Sequence, residues 1–146
     1  MLKMSEHVKR YPIHFKNEHQ FSTEIDKKKW GIEDIICREP HACKIMTLIP
    51  GQQVSLHWHQ MKTETFVLVQ GELIVEIFNQ KGKRHIIYLT VPLSSITIEQ
   101  NTPHTFYIPD GQEDNTVFIE ASTTDFKDDS YRIYPSGPKG ENPIDR

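Results

Sequence analysis

From Trp30 to Ser122 the chain alternates short runs rich in Val, Ile, Phe, Tyr and Thr with turn-forming residues. Period-two alternation places successive side chains on opposite faces of an extended backbone, so each run has one face for a core and one for solvent. The runs Glu33 to Arg38, Ala42 to Ile49, Val54 to Trp58, Thr63 to Gln70 and Glu72 to Phe78 read as strands. So do Arg84 to Leu89, Ser95 to Glu99, His104 to Ile108 and Asn115 to Ser122. Pro50-Gly51, Gln70-Gly71, the stretch Asn79 to Gly82 and Pro109-Asp110-Gly111 supply the turns between them. Many short strands at regular spacing predict an all-β sandwich or barrel. No helical periodicity and no internal repeat stands out.

Three regions follow from this pattern. Residues 1–29 are polar, with the cluster Asp26 to Lys29, and read as an arm that pairs with a sheet edge or with another subunit. Residues 30–132 form the barrel. Residues 133–146 carry Pro135, Gly137, Pro138, Gly140 and Pro143, and are expected to leave the sheet as an extended tail.

Composition narrows the function classes. At 146 residues, with 36% hydrophobic and 25% charged residues, the chain is one ordinary globular domain. A formal net charge of −3 gives no electrostatic case for nucleic acid or an anionic membrane as partner. No apolar run approaches the roughly 20 residues of a membrane span. The amino terminus, Met1 to Arg10, lacks an apolar signal-peptide core, and Cys37 and Cys43 fit no zinc spacing. A reduced, cytoplasmic protein is therefore expected.

The chemistry concentrates in Gly51 to Gly71, within which lie His57-Trp58-His59, Lys62 and Glu64. On a strand, His57 and His59 share a face, and a neighbouring strand can bring the carboxylate of Glu64 to the same point. Two imidazoles and a carboxylate make a ligand set for a divalent ion with positions left for substrate. Glu64, Phe66 and Leu68 share one face of the next strand. Further on, His104 falls in phase with Phe106 and Ile108, as an inward-facing ligand should.

The spacing Gly, five residues, His-x-His, four residues, Glu, six residues, Gly resembles the first motif of the cupin superfamily. That resemblance implies a double-stranded β-helix (jelly-roll) barrel and a metal held by His57, His59, Glu64 and His104. The second motif, Ile98 to His104, has Glu99 and Asn101 where the family has Pro and Gly, and Ile108 where an asparagine is frequent. Asn101 takes a positive φ more readily than most residues, so the turn survives. His-x-His-x-x-Lys-x-Glu is further similar to the metal motif of cupin sugar isomerases, notably the D-lyxose isomerase group. It is related more distantly to cupin-type phosphomannose isomerase, where a Trp-Gly such as Trp30-Gly31 precedes the barrel; Trp30 itself reads as a core anchor.

What this second resemblance implies is a metal-dependent aldose–ketose isomerase acting on a small sugar or its phosphate, by a 1,2 proton shift through a cis-enediolate. One divalent ion, manganese or zinc by analogy, or iron, cobalt or nickel by ligand type, would act as Lewis acid. Glu120 is the implied proton-transfer base and Lys62 the group that holds developing negative charge; Arg132 would orient a distal hydroxyl or a phosphate. Lys44 and Phe106 are candidate substrate-binding residues, Lys44 with an equally good reading as solvent-facing. An ordinary surface turn with a salt bridge is the competing reading of Asp128, Asp129 and Arg132. An iron-dependent dioxygenase and a non-catalytic small-molecule-binding module are the alternative functions. Cupins commonly pair through amino-terminal strands, which implies a homodimer.

Overall fold

A computed structural model describes residues 24–141. Residues 1–23 of the expected arm and 142–146 of the expected tail lie outside the described residues. The described chain is all strand and turn: β1 (Glu24–Lys28), β2 (Gly31–Cys37), β3 (His41–Leu48), β4 (Gln52–Gln53), β5 (Leu56–Trp58), β6 (Glu64–Gln70) and β7 (Leu73–Phe78) come first. There follow β8 (Arg84–Leu89), β9 (Ser95–Ile98), β10 (His104–Tyr107), β11 (Thr116–Thr123), β12 (Tyr131–Tyr134) and β13 (Gly137–Pro138). Six strands make one antiparallel sheet in the order β1-β2-β3-β11-β6-β9. The second sheet runs β12-β5-β10-β4-β13, with β7 also pairing β10 and carrying β8 on its far side.

Alternating burial along β3, β6 and β11 shows the two sheets facing each other across one interior. Phe66, Phe106 and Phe118 meet there, with ring centroids 4.8 to 5.4 Å apart. Trp30 joins them edge-on to Phe106 and is 5% exposed, as a core anchor should be. Leu48, Leu68, Leu73, Val75 and Ile98 close the apolar part. Following the inward face of β6, Leu68 and Phe66 belong to this core and Glu64 lies at its end. On β11 the inward sequence Phe118, Glu120, Ser122 makes the same change from apolar to polar. One end of the barrel is hydrocarbon, the other a polar cavity.

Two turns explain why particular residues stand where they do. Gly71 has φ +79°, and a Cβ there would lie 2.7 Å from Thr116 Oγ1 and 2.8 Å from Gln112 Nε2, so only glycine fits. Asn101 adopts φ 59°, the left-handed conformation its position calls for.

The tail departs from expectation. Instead of leaving the sheet, the chain after residue 130 returns to it: β12 pairs antiparallel with β5, and β13 with β4. Proline is excluded from strand interiors because it lacks an N–H, but Pro138 sits on an edge strand, where no further ladder is required. Lys139 then fastens the segment, through its backbone N–H to Gly51 O at 2.9 Å and its ammonium to Asp110 at 2.8 Å. Part of the arm also joins: β1 lies along β2, at the edge of the first sheet.

Candidate metal centre

His57 on β5 stands directly opposite His104 on β10, so their side chains share a face. Their rings lie 4.4 Å apart, and His59, just past the end of β5, is 4.9 Å from His57 and 5.6 Å from His104. Glu64 opens β6 from the facing sheet. The candidate ligand atoms of these four residues all lie within 4.8 Å of one another.

Each imidazole is oriented by a backbone carbonyl. The Nδ1–H of His57 donates to Ser55 O at 2.8 Å, that of His59 to Asp129 O at 2.7 Å and that of His104 to Thr102 O at 2.8 Å. Spending Nδ1–H on a carbonyl leaves each Nε2 with a bare lone pair turned inward, the tautomer a metal requires. The clearest sign is between His104 Nε2 and Glu64 Oε1. They are 2.6 Å apart and buried, and neither has any other hydrogen-bond partner. Two facing acceptors at that distance need a shared positive charge, which a proton on the imidazole or a metal ion beside both would supply. Burial, and after it the neighbouring imidazoles of His104 and His59, push the His57 pKa well below the usual histidine range. For His59 burial and then the Lys62 charge lower it. Both therefore stay neutral and available. The residues present fit one divalent ion, and three imidazoles with one carboxylate suit Mn, Fe, Co, Ni or Zn.

Behind this set lies a buried network of alternating charge. Lys62 Nζ is 3.2 Å from Glu64, 3.4 Å from Glu120 and 3.4 Å from Asp125. Lys44 stands opposite Glu120 across β3 and β11, which settles its direction as inward, and reaches Asp125 at 3.0 Å and Glu120 at 3.7 Å. Arg38 ties Asp125 to Glu24. Burial would strip Lys62 of its proton, but the carboxylates of Glu120, Glu64 and Asp125 outweigh it and hold the group as an ammonium. Burial also works to raise Glu64, against the stronger pull of His104, Lys62 and His59, which keeps it well below the carboxylate range. Glu120 goes the other way. Its burial and the like charge of Glu64 exceed the help of Lys62 and Lys44, and its pKa is pushed up to about 7.

A cavity of about 290 Å³ opens onto both groups, lined by His57, His59, Lys44, Lys62, Phe106 and Glu120 among others, with Arg132 on its wall. All the candidate site residues read from the sequence therefore border this cavity or the ligand cluster that it exposes. Two residues escaped that reading. Asp125 links Lys44, Lys62 and Arg38, and its only local signal was a carboxylate soon after the end of β11. Asp129 is 4% exposed, which replaces the surface-turn reading at that position. Its carboxylate accepts from the backbone N–H of Gln60 at 2.8 Å and of Met61 at 3.0 Å, pinning the loop between His59 and Lys62.

No protein-family model matches the sequence, and no curated protein matches it. Solved structures do match. Oxalate decarboxylase from Bacillus subtilis at pH 4.6 superposes with a TM-score of 0.70 at 17% identity, over 90% of this chain and 39% of that one. The formate complex of oxalate decarboxylase from Lactobacillus farciminis gives 0.66 at 18% identity, over 79% of this chain and 35% of that one. The capsular polysaccharide assembling protein CapF from Staphylococcus aureus, in space group C2221, gives 0.65 at 19% identity, over 76% and 34%. The chain thus spans between a third and two fifths of the length of these proteins, and identities this low speak for architecture alone. With the two facing antiparallel sheets and the three-histidine, one-glutamate cluster, they establish that this chain has the cupin fold.

Proposed function

We propose that the protein is a metal-dependent aldose–ketose isomerase acting on a small sugar or sugar derivative. The observation that carries this reading is the place of Glu120: a buried carboxyl group on the wall of the cavity shared with the metal ligands, 3.4 Å from the Lys62 ammonium. Burial pushes its pKa upward, toward a base that can both take a proton from carbon and give it back, as a shift between adjacent carbons demands. A divalent ion held by His57, His59, Glu64 and His104 would supply Lewis acidity toward substrate oxygens.

The remaining steps belong to the protein's own groups. Lys62, a permanent ammonium 3.4 Å from Glu120, offers hydrogen bonds to an oxygen as it gains negative charge. Lys44 and Asp125 hold Glu120 and Lys62 in place, so that neither must reorganise as charge moves. Phe106 and Trp30 give the cavity an apolar wall that limits water near the reacting carbons.

The test begins with metal analysis of the purified protein. A panel of aldoses and ketoses is then followed by proton NMR in deuterated water. Aldose–ketose exchange with deuterium entering at C1 or C2 is expected, because a proton resting on Glu120 exchanges with solvent. Glu120→Gln should keep its metal and lose about 10²- to 10⁴-fold in rate. A Glu120→Gln protein that interconverts sugars as fast as the parent removes Glu120 from this role. Uptake of oxygen dependent on ferrous iron, with no isomerisation, points instead to a dioxygenase.

A further inference from the structure

The charged side chains around the cavity divide into those with partners and those without. Lys62, Lys44 and Arg38 are consumed by Glu64, Glu120, Asp125 and Glu24, and Lys28 pairs with Asp26 at 2.6 Å. Arg132 and Lys127 also line the cavity, and the described residues give neither one a carboxylate. Their placement is not arbitrary. Arg132 on β12 stands directly opposite His57 on β5, so the guanidinium rises from the same sheet face as a candidate metal ligand. Lys127 and Ser130 belong to the same returning segment, between β11 and β12. That segment is held rigidly to the metal loop by buried Asp129, so the rim cations have a defined position above the site.

The geometry points to an anion subsite at the cavity rim, with Arg132 as its fork, Lys127 as a second charge and the Ser130 hydroxyl as a neutral donor. The substrate then carries an anionic substituent, a phosphate or a carboxylate, at the end remote from the reacting carbons. Arginine suits this task because its planar donors match two oxygens of such a group at once. The one unpaired carboxylate on the cavity wall among the described residues is Glu33, which accepts from hydroxyl groups and repels a second anion. An acidic sugar with one charged end satisfies both. This inference rests on the proposed function only for what happens at the other end of the substrate.

The test uses the metal-loaded protein and calorimetric titration with two probes, inorganic phosphate and malonate. Arg132→Gln should weaken the preferred anion about tenfold or more, and Arg132→Lys by less, since it keeps charge and loses the fork. Lys127→Gln should weaken it to a smaller extent. Whichever probe loses more with Arg132→Gln identifies the substituent as phosphate or carboxylate. Equal affinity in parent and Arg132→Gln for both probes overturns the subsite, since binding then belongs to the metal alone; so does failure of both anions to bind the parent. The two proposals fail separately. Arg132-dependent anion binding with no sugar isomerised leaves the subsite standing and sinks the isomerase. A neutral aldose isomerised by a protein whose anion binding ignores Arg132 does the reverse.

Discussion

Asp129 offers the sharpest test of how the site is held. Its carboxylate accepts from the N–H of Gln60 at 2.8 Å and from the N–H of Met61 at 3.0 Å through each oxygen. Its own carbonyl accepts from His59 Nδ1 at 2.7 Å. Replacing it by alanine removes two hydrogen bonds to a charged acceptor, each worth about 1.5–3 kcal/mol. Gln60 and Met61 are exposed, so water re-solvates part of what is lost, and the lower end of the sum applies: about 3 kcal/mol. For a domain of this size each kcal/mol shifts the melting temperature by about 3–4 °C, so a fall of about 10 °C is expected. Circular dichroism melts of the metal-free protein isolate this effect from any change in ion binding. Titration with Mn or Zn should then show a second loss, about 10- to 100-fold in affinity, because His59 is no longer aimed by a fixed carbonyl. Asp129→Asn keeps one acceptor oxygen and should fall between. An Asp129→Ala protein that melts with the parent and binds the ion equally well would refute the claim that this residue fastens the loop.

Two further outcomes follow from the ligand set and from the network beside it. Because His57, His59, Glu64 and His104 bring their ligand atoms together, and His104 Nε2 and Glu64 Oε1 have no other partner, adding a divalent ion should stabilise the parent, by about 2.7 kcal/mol at a hundred times its Kd. Glu64→Gln should abolish that gain in a thermal melt, and a gain preserved in this variant would place the ion elsewhere. Burial alone would raise the pKa of Asp125, but Lys62, Lys44 and Arg38 hold it below the usual aspartate value. Its folded value is thus below its unfolded one, so its contribution is complete above the unfolded pKa of about 3.9 and disappears as pH falls through the folded value. Melts between about pH 5 and pH 2 should show a shallower acid limb for Asp125→Asn than for the parent, and superimposable limbs would contradict this.

What the sequence made legible was whatever depends on neighbours in the chain. Period two placed His57 against one face and Leu56 and Trp58 against the other, and put Glu64 in line with Phe66 and Leu68. The ligand cluster then needed only two strands to meet. Legibility failed where contacts span the chain. Lys44 read equally well as inward or outward because its partners, Glu120 and Asp125, lie far along the sequence and register alone brings them across. Asp129 read as surface because Lys127, Asp128 and Ser130 beside it are polar; its burial comes from a loop almost seventy residues earlier. The returning strand β13 was hidden by a proline that an edge position tolerates.

The buried charge network also shows how the two halves of the site depend on each other. Lys62 touches Glu64, a candidate metal ligand, and Glu120, the proposed base, at nearly equal distances of 3.2 and 3.4 Å. Lys62 and Lys44 together do not offset the burial of Glu120 and the like charge of Glu64, and its pKa is pushed up to about 7. A cation held by His57, His59, Glu64 and His104 would offset the charge of Glu64, ease its repulsion of Glu120 and leave Lys62 to Glu120 or to a substrate oxygen. Filling the ligand set would therefore also retune Glu120, because Lys62 stands between the two carboxylates.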